Sequence, residues 1–333
     1  MSEITDALAT LQNAGFELRP PATDVDIAET KAFIGATLPP EVHETYQTCD
    51  GMEIYNWETK FTAQGLNIPG EFYRLMSLSE MRETFGVTRC WGNYGAEFCC
   101  LWTNENSDYA ALYIGGPLLG RITLLPHDGE SADPGWRNWT NFVQRVAQFG
   151  DQGLPYDNIR PTYCDYPQTA PGASEDDADD WNAVQQLRKR QNTPDLYDRS
   201  RVAGQIPILT PFIYTDSLLA DLDGNDFDLQ SHVCEVLGMR QYTPAISRLS
   251  DLARRPRTGN AHNAAIGALG QMRTPESLAA LLDALQAVDQ SWSSLYCFRG
   301  PLEAHGAIFG GTPAVPTFHL PGETQGRPFR FGG

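Results

Sequence analysis

Cysteines are the first residues in this chain that could support catalysis. Cys49 precedes Asp50 and follows His43 by six residues, the composition of an activated thiol, but residues six apart on a helix lie on different faces. Cys99 and Cys100 are adjacent, too close for a Cys-x-x-Cys site, and strand alternation predicts one inward and one outward side chain. We therefore interpret all three cysteines as packing residues.

A run of carboxylates from Asp221 to Asp226 begins like a calcium loop. The EF-hand pattern requires Gly at position six and Glu at position twelve, where this chain has Asp226 and His232. We interpret the run as an acidic turn that caps the helix around Leu229.

Histidine and glycine spacings give no further catalytic motif. Gly115, Gly116 and Gly120 lack the spacing and the following helix of a phosphate-binding loop. The six histidines do not fall in His-x-His or His-Glu-x-x-His spacing: His43, His127, His232, His262, His305 and His319. The sequence therefore predicts no enzyme, no catalytic residue, no cofactor and no metal site.

Four aromatic residues are the candidates for binding another protein. Trp57, Trp91, Tyr94 and Trp136 fall in loop-like stretches rich in Gly or Asn, where we expect them to be exposed. Because aromatic anchors dominate the energetics of interfaces, these four are the predicted protein-binding residues.

Three helices and then a sheet must position these side chains. Helices are predicted from Ser2 to Gly15, from a capping box of Asp26 and Glu29, and from Pro39-Pro40 towards Asp50. A brief helix at 78–84, short β-prone runs at 98–102, 110–114 and 121–125, and a closing helix at 139–149 follow. This order predicts an α+β domain over residues 1–150, with helices packed on a mostly antiparallel sheet.

The second half of the chain has a different composition. Residues 151–201 are rich in Pro and Asp and predict a linker, within which 181–191 has helical character. Residues 202–316 are predicted to form an all-α repeat region, and residues 317–333 a flexible tail rich in Gly, Pro and Arg.

The repeat is visible as self-similarity at an offset of about 32 residues. Leu237-Gly238 and Thr243-Pro244 recur as Leu269-Gly270 and Thr274-Pro275. Small residues are expected to let neighbouring helices approach closely (Ala264, Ala265, Gly267 and Ala268), and Leu278, Leu281, Leu282 and Leu285 form an apolar stripe. A degenerate third copy is expected to end near Thr312-Pro313.

Charge is unevenly distributed along the chain. The formal net charge is -18, and residues 1–150 carry 20 acids and 9 bases whereas residues 229–333 carry 7 acids and 9 bases. Such a field repels nucleic acid and anionic membrane and favours basic protein partners. The chain has an odd number of cysteines, seven, and shows neither a leader-like N-terminal segment nor an apolar stretch of membrane length. These features predict a reducing cytoplasmic setting.

The N-terminal motifs resemble the SUKH superfamily, which includes the SMI/KNR-type cell-wall regulators and many bacterial immunity proteins. The similarity covers about residues 24–148, and the family's common Asn-Gly pair is Asp50-Gly51 here. The matching motifs are Ile27 to Gly35, Leu38-Pro39-Pro40-Glu41, Tyr46, Met76 to Glu80, Trp91-Gly92, Phe98 to Trp102, Gly116-Pro117 and Trp139 to Val143.

The repeats are similar to HEAT units of the short, phycobilisome-lyase type. Together the two resemblances imply a protein-binding role, such as an immunity or inhibitor protein whose acidic surface neutralises a basic toxin, for example a nuclease. The alternative they leave open is a regulatory scaffold of the cell-wall-regulator type.

Overall fold

The chain divides into two compact units in a computed structural model. Unit 1 is Met1–Tyr166 with Lys189–Arg201, and unit 2 is Pro167–Arg188 with Val202–Gly333. The structure describes residues 2–54, 74–90, 97–103, 107–126, 132–152, 165–166, 177–193, 195–255, 260–288, 292–312 and 315–329.

Three capped helices open unit 1: α1 (Glu3–Ala14), α2 (Asp24–Ile34) and α3 (Pro40–Thr48). Ser2 caps α1, and Gly15 ends it in the left-handed region, as the sequence predicts. The capping box of α2 is Thr23 with Asp26 instead of Asp26 with Glu29. The Thr23 hydroxyl accepts a hydrogen bond from the N–H of Asp26, so Thr23 is the N-cap and the helix starts at Asp24, three residues before the start that an Asp26 cap predicts.

A small antiparallel pair of strands follows the helices, made of β1 (Phe16–Leu18) and β2 (Met52–Ile54). The main sheet is antiparallel and has the order β3-β4-β5-β6-β7. Its strands are β3 (Arg74–Leu75), β4 (Phe98–Thr103), β5 (Tyr109–Tyr113), β6 (Ile122–Leu125) and β7 (Pro134–Trp136). Helices α4 (Leu78–Thr88) and α5 (Trp139–Gln152) complete the α+β fold predicted for this region.

The core of unit 1 lies where α1, α3 and α5 pack together and where α4 packs against β4. Every residue of β4 is buried, including both Cys99 and Cys100. The expectation of one outward cysteine is therefore wrong. Strand alternation predicts exposure only when one face of the sheet is open to water, and both faces are covered at β4.

In unit 2, the described elements up to residue 304 are all helices. The first is most of α6 (Asp177–Arg190), followed by the C-terminal part of α7 (Leu196–Leu209) and a 3-10 segment (Phe212–Leu218). Its repeat helices form two pairs, α8 (Phe227–Met239) with α9 (Ile246–Arg254) and α10 (Asn260–Met272) with α11 (Pro275–Ala287). The helical region predicted at 181–191 is thus part of a 14-residue helix.

Glycines set the distance between the first helices of successive repeats. A Cβ atom on Gly238 would lie 2.7 Å from Cα of Ala268, and one on Gly270 would lie 2.6 Å from Cα of Pro301. The recurring Leu-Gly pair therefore marks a close contact in each repeat. Gly267, which the sequence predicts to contribute to close packing, has open space instead, because a Cβ there would meet no heavy atom within 4 Å.

The third repeat is incomplete. Helix α12 (Trp292–Ala304) packs against α10, and a three-stranded antiparallel sheet follows it, so Thr312, near the expected end of this copy, lies in a strand. Its strands are β8 (Ile308–Thr312), β9 (Val315–His319) and β10 (Arg327–Pro328), in the order β10-β9-β8. Phe318 and Phe329 are buried, so most of the predicted flexible tail is folded.

Candidate protein-binding site

Of the four predicted aromatic anchors, the structure describes one, Trp136. Trp57, Trp91 and Tyr94 lie outside the described residues. Trp136 is 1% exposed, and its ring packs edge-on against Phe142 with centroids 5.1 Å apart. Trp136 is therefore a core residue, because it ends β7 beside β6 instead of lying in a loop.

The Asp50-Gly51 motif supports the start of α4. The Asp50 carboxylate accepts a hydrogen bond from the N–H of Leu78 at 2.7 Å, which satisfies a donor that the helix itself leaves unpaired. Gly51 has a φ of 93°, and a Cβ there would lie 2.8 Å from the backbone nitrogen of Ser77. The Tyr46 hydroxyl donates to the carbonyl of Met76 at 2.9 Å. These motif residues fix the turn before α4.

Glu80 joins the same turn to two arginines. Its carboxylate accepts from Arg74 at 2.7 Å, from Arg19 at 3.3 Å and from the N–H of Ser77 at 2.7 Å. Burial opposes the charge on this carboxyl, but the hydrogen bonds from Arg74 and Ser77 outweigh burial and lower its pKa to about 2. These contacts of Glu80 stabilise the turn before α4, and they do not form an activated nucleophile.

Unit 1 is expected to lose stability in acid through Glu80. Its folded-state pKa of about 2 lies below the ordinary value of 4.5, so the unfolded chain binds more protons between these two values. The stabilisation is present above pH 4.5 and is lost as the pH falls towards 2. In a urea-unfolding series over this range, Glu80→Gln should lower the stability at neutral pH and flatten the loss.

Glu83→Gln is the matched control, since Glu83 is an exposed residue of the same helix whose carboxyl contacts Ser79 at 3.5 Å. It should retain the acid-induced loss of the unchanged protein. An equally steep loss in Glu80→Gln would contradict the assignment.

The cysteines considered for catalysis are poor nucleophiles. Cys49 and Cys99 are fully buried, and burial raises the pKa of each thiol to about 12. Burial also raises the pKa of Cys100 well above its ordinary value. Because the thiolate is the reactive form, these side chains act in packing.

A serine-histidine contact that the sequence reasoning missed occurs in unit 2. Oγ of Ser277 lies 3.3 Å from Nε2 of His305, which is also 3.2 Å from the carbonyl oxygen of Leu269. Ser277 belongs to the capping box of α11 with Thr274, and its hydroxyl donates to the Thr274 carbonyl at 3.0 Å. A proton on Nε2 suits the Leu269 carbonyl, so the pair links helices and is not arranged as nucleophile and base.

The acidic turn at 221–226 also has a structural role. Asp226 accepts from the N–H of Leu229 at 3.0 Å and caps α8, which confirms that part of the interpretation. Asp221 receives two hydrogen bonds from Arg188, both at 2.8 Å, and Asp223 pairs with Arg248 at 3.1 Å. Within the described ranges no group of three His, Cys, Asp or Glu side chains is placed to hold a metal ion.

The first segment of unit 1, residues 2–54, is strongly acidic. Residues 2–54 carry ten acids and two bases, and one of these bases, Arg19, is paired with Glu53 and Glu80. The exposed acids of this segment are Glu3, Asp6, Glu17, Asp24, Glu29 and Glu53. We call these six exposed carboxylates, four on α1 and α2 and one each on β1 and β2, the acidic helical surface.

The Lys189–Arg201 segment of unit 1 is held by a charged cluster. Arg201, whose side chain is 4% exposed, contacts Glu97 at 3.1 Å and Asp198 at 2.6 Å. Arg190 contacts the same two carboxylates at 3.0 and 2.9 Å. Each acid thus meets two arginines, which offsets the cost of burying the charges.

Comparison with known proteins agrees with both halves of this description. Residues 21–145 match the SMI1/KNR4 family (SUKH-1), and residues 215–292 match HEAT repeats. No curated protein matches the chain. None of the described helices is both long and apolar enough to span a bilayer.

Proposed function

We propose that this chain, a SUKH-type domain joined to HEAT repeats, is a non-enzymatic binding protein that neutralises a basic toxin. The observation that carries the proposal is the acidic helical surface, which places six exposed carboxylates on and around α1 and α2. A nuclease toxin must present a basic groove to its substrate, and a negatively charged protein competes for that groove.

The HEAT repeats support an interaction role by a separate argument. Stacked helix pairs bury their apolar faces against one another and leave an extended surface for a second macromolecule. In the described part of unit 2, the side chains that resemble catalytic groups are used to cap and link helices. We therefore assign binding, and no reaction, to both units, in a cytoplasmic protein.

The test is co-expression with a basic nuclease toxin domain encoded beside this gene. We expect the full-length chain to restore growth and to bind the purified toxin domain in calorimetry. Asp6→Lys or Glu29→Lys should each weaken binding by about tenfold, since each replaces attraction by repulsion at the contact.

Glu276→Lys is the matched control, because Glu276 is an exposed acid on α11 of the HEAT region. It should leave the affinity unchanged. Equal losses in all three variants would show that net charge alone acts, and no protection by the unchanged chain would remove the immunity role. Stable binding of a cell-wall or signalling protein instead would favour the regulatory scaffold.

A further inference from the structure

Among the strands that the structure describes, β8 is the outer strand of the C-terminal sheet, and its residues are largely exposed. It pairs with β9 on one side, from Ile308 opposite His319 to Thr312 opposite Val315. Ile308 is 71% exposed, and Gly310, Gly311 and Thr312 are exposed as well. An edge of this kind offers backbone hydrogen-bonding groups to another strand.

The register shows which groups face outward. The Pro316 carbonyl accepts from the N–H of Phe329, so Pro316 directs its polar backbone towards β10. Because successive residues of a strand alternate in direction, Thr317 and its opposite residue Gly310 form a hydrogen-bonded pair. Phe309 and Gly311, on either side of Gly310, therefore direct their N–H and C=O groups to the open edge.

The strand lacks the usual protection of an edge. Residues 308–312 contain no charge and no proline, whereas natural edge strands are commonly blocked by lysine, proline or a bulge. The inner face is well supported, since Phe309 stacks on Phe318 with centroids 5.6 Å apart and Arg299 lies over the Phe309 ring. The exposed edge thus belongs to a packed sheet.

The charge around β8 permits a second copy of this chain to approach. The protein carries a net charge of -18, so most of its surface repels a copy of itself. The segment 292–329 is different, since its two acids are each paired with its two arginines, Glu303 with Arg299 and Glu323 with Arg327. The neutral edge is therefore a place where self-association meets little repulsion.

We propose that β8 pairs antiparallel with β8 of a second copy and forms a symmetric dimer with a continuous six-stranded sheet. With the two-fold axis at Gly310, Phe309 of each copy meets Gly311 of the other as a hydrogen-bonded pair. At the axis Gly310 lies opposite Gly310 of the second copy, in a pair without mutual hydrogen bonds, where the two backbones are closest and a side chain would have least room. Each Phe309 ring lies opposite Gly311 of the other copy. A contact of one strand pair is small, so the dimer is weak and forms reversibly.

The same register predicts opposite effects for two variants at the same positions, because Ile308 of one copy faces Thr312 of the other. The double variant Ile308→Lys/Thr312→Lys places like charges opposite each other at both ends and should weaken association by about tenfold or more. The double variant Ile308→Lys/Thr312→Glu places opposite charges there and should associate at least as tightly as the unchanged chain.

Sedimentation velocity of the full chain, from about 5 to about 500 µM, measures this association in the range expected of a small interface. Slower hydrogen exchange at the Phe309 amide should accompany the dimer. Leu119→Lys, at another exposed apolar residue, is the control and should not change association.

A monomer at every concentration would overturn the proposal, as would equal association of the two double variants. If the chain stayed monomeric yet bound an unrelated extended peptide at β8, the edge would be assigned to another protein instead. These outcomes are independent of the toxin experiment, which concerns unit 1.

Discussion

Gly51→Ala is expected to lower the free energy of unfolding of unit 1 by about 3 kcal/mol, through backbone strain at positive φ together with overpacking. The φ of 93° is unfavourable for a residue with a Cβ, and that Cβ would lie 2.8 Å from the backbone nitrogen of Ser77. The backbone before α4 cannot rotate away as a side chain can. Urea unfolding, followed by hydrogen exchange of peptides from β4, measures the loss.

Gly35→Ala separates the two causes. Gly35 also has positive φ, 73°, but a Cβ there has nothing within 4 Å. It should cost about 1 kcal/mol, from backbone strain alone. If Gly35→Ala and Gly51→Ala lowered the free energy of unfolding by the same amount, the close approach of Gly51 to Ser77 would have no energetic consequence.

Gly270→Ala is expected to destabilise the HEAT region by about 2 kcal/mol, since overpacking outweighs the better helix propensity of alanine. The added Cβ would lie 2.6 Å from Cα and Cβ of Pro301, so α10 and α12 must separate. Hydrogen exchange of peptides from α10 during urea unfolding reports the effect within unit 2.

Gly267→Ala on the same helix is the control. With no heavy atom within 4 Å of the added Cβ, it should stabilise α10 by up to about 1 kcal/mol through helix propensity. The two variants, three residues apart, should therefore shift stability in opposite directions. A shift of the same sign in both would contradict the packing argument.

Local signals made the helices and the central strands predictable. Ser2 and Gly15 end α1 by hydrogen bonds within a few residues, and the leucine stripe of α11 repeats at helical spacing, with Leu281 and Leu285 buried. The strands at 98–103, 109–113 and 122–125 lie within one residue of the predicted bounds. These features depend on neighbours in the sequence.

Contacts between distant residues were not predictable in the same way. Arg201 and Glu97 are 104 positions apart, so the acidic, Pro-rich composition of 151–201 indicated a linker and gave no sign of this pair. The Gly and Pro content after Phe318 likewise resembled a tail, although β10 pairs with β9 there. Trp136 was misjudged because a three-residue strand carries too little pattern to distinguish it from a loop.

The way the chain is divided between its units has a consequence for how such proteins can be recombined. Lys189–Arg201 belongs to unit 1 but is encoded after part of unit 2, which begins at Pro167. A gene fusion that transplanted only the first 150 codons would leave Glu97 without Arg190 and Arg201. Unit 1 is therefore transferred whole only by an exchange that extends to Arg201, and such an exchange also carries residues 167–188 of unit 2.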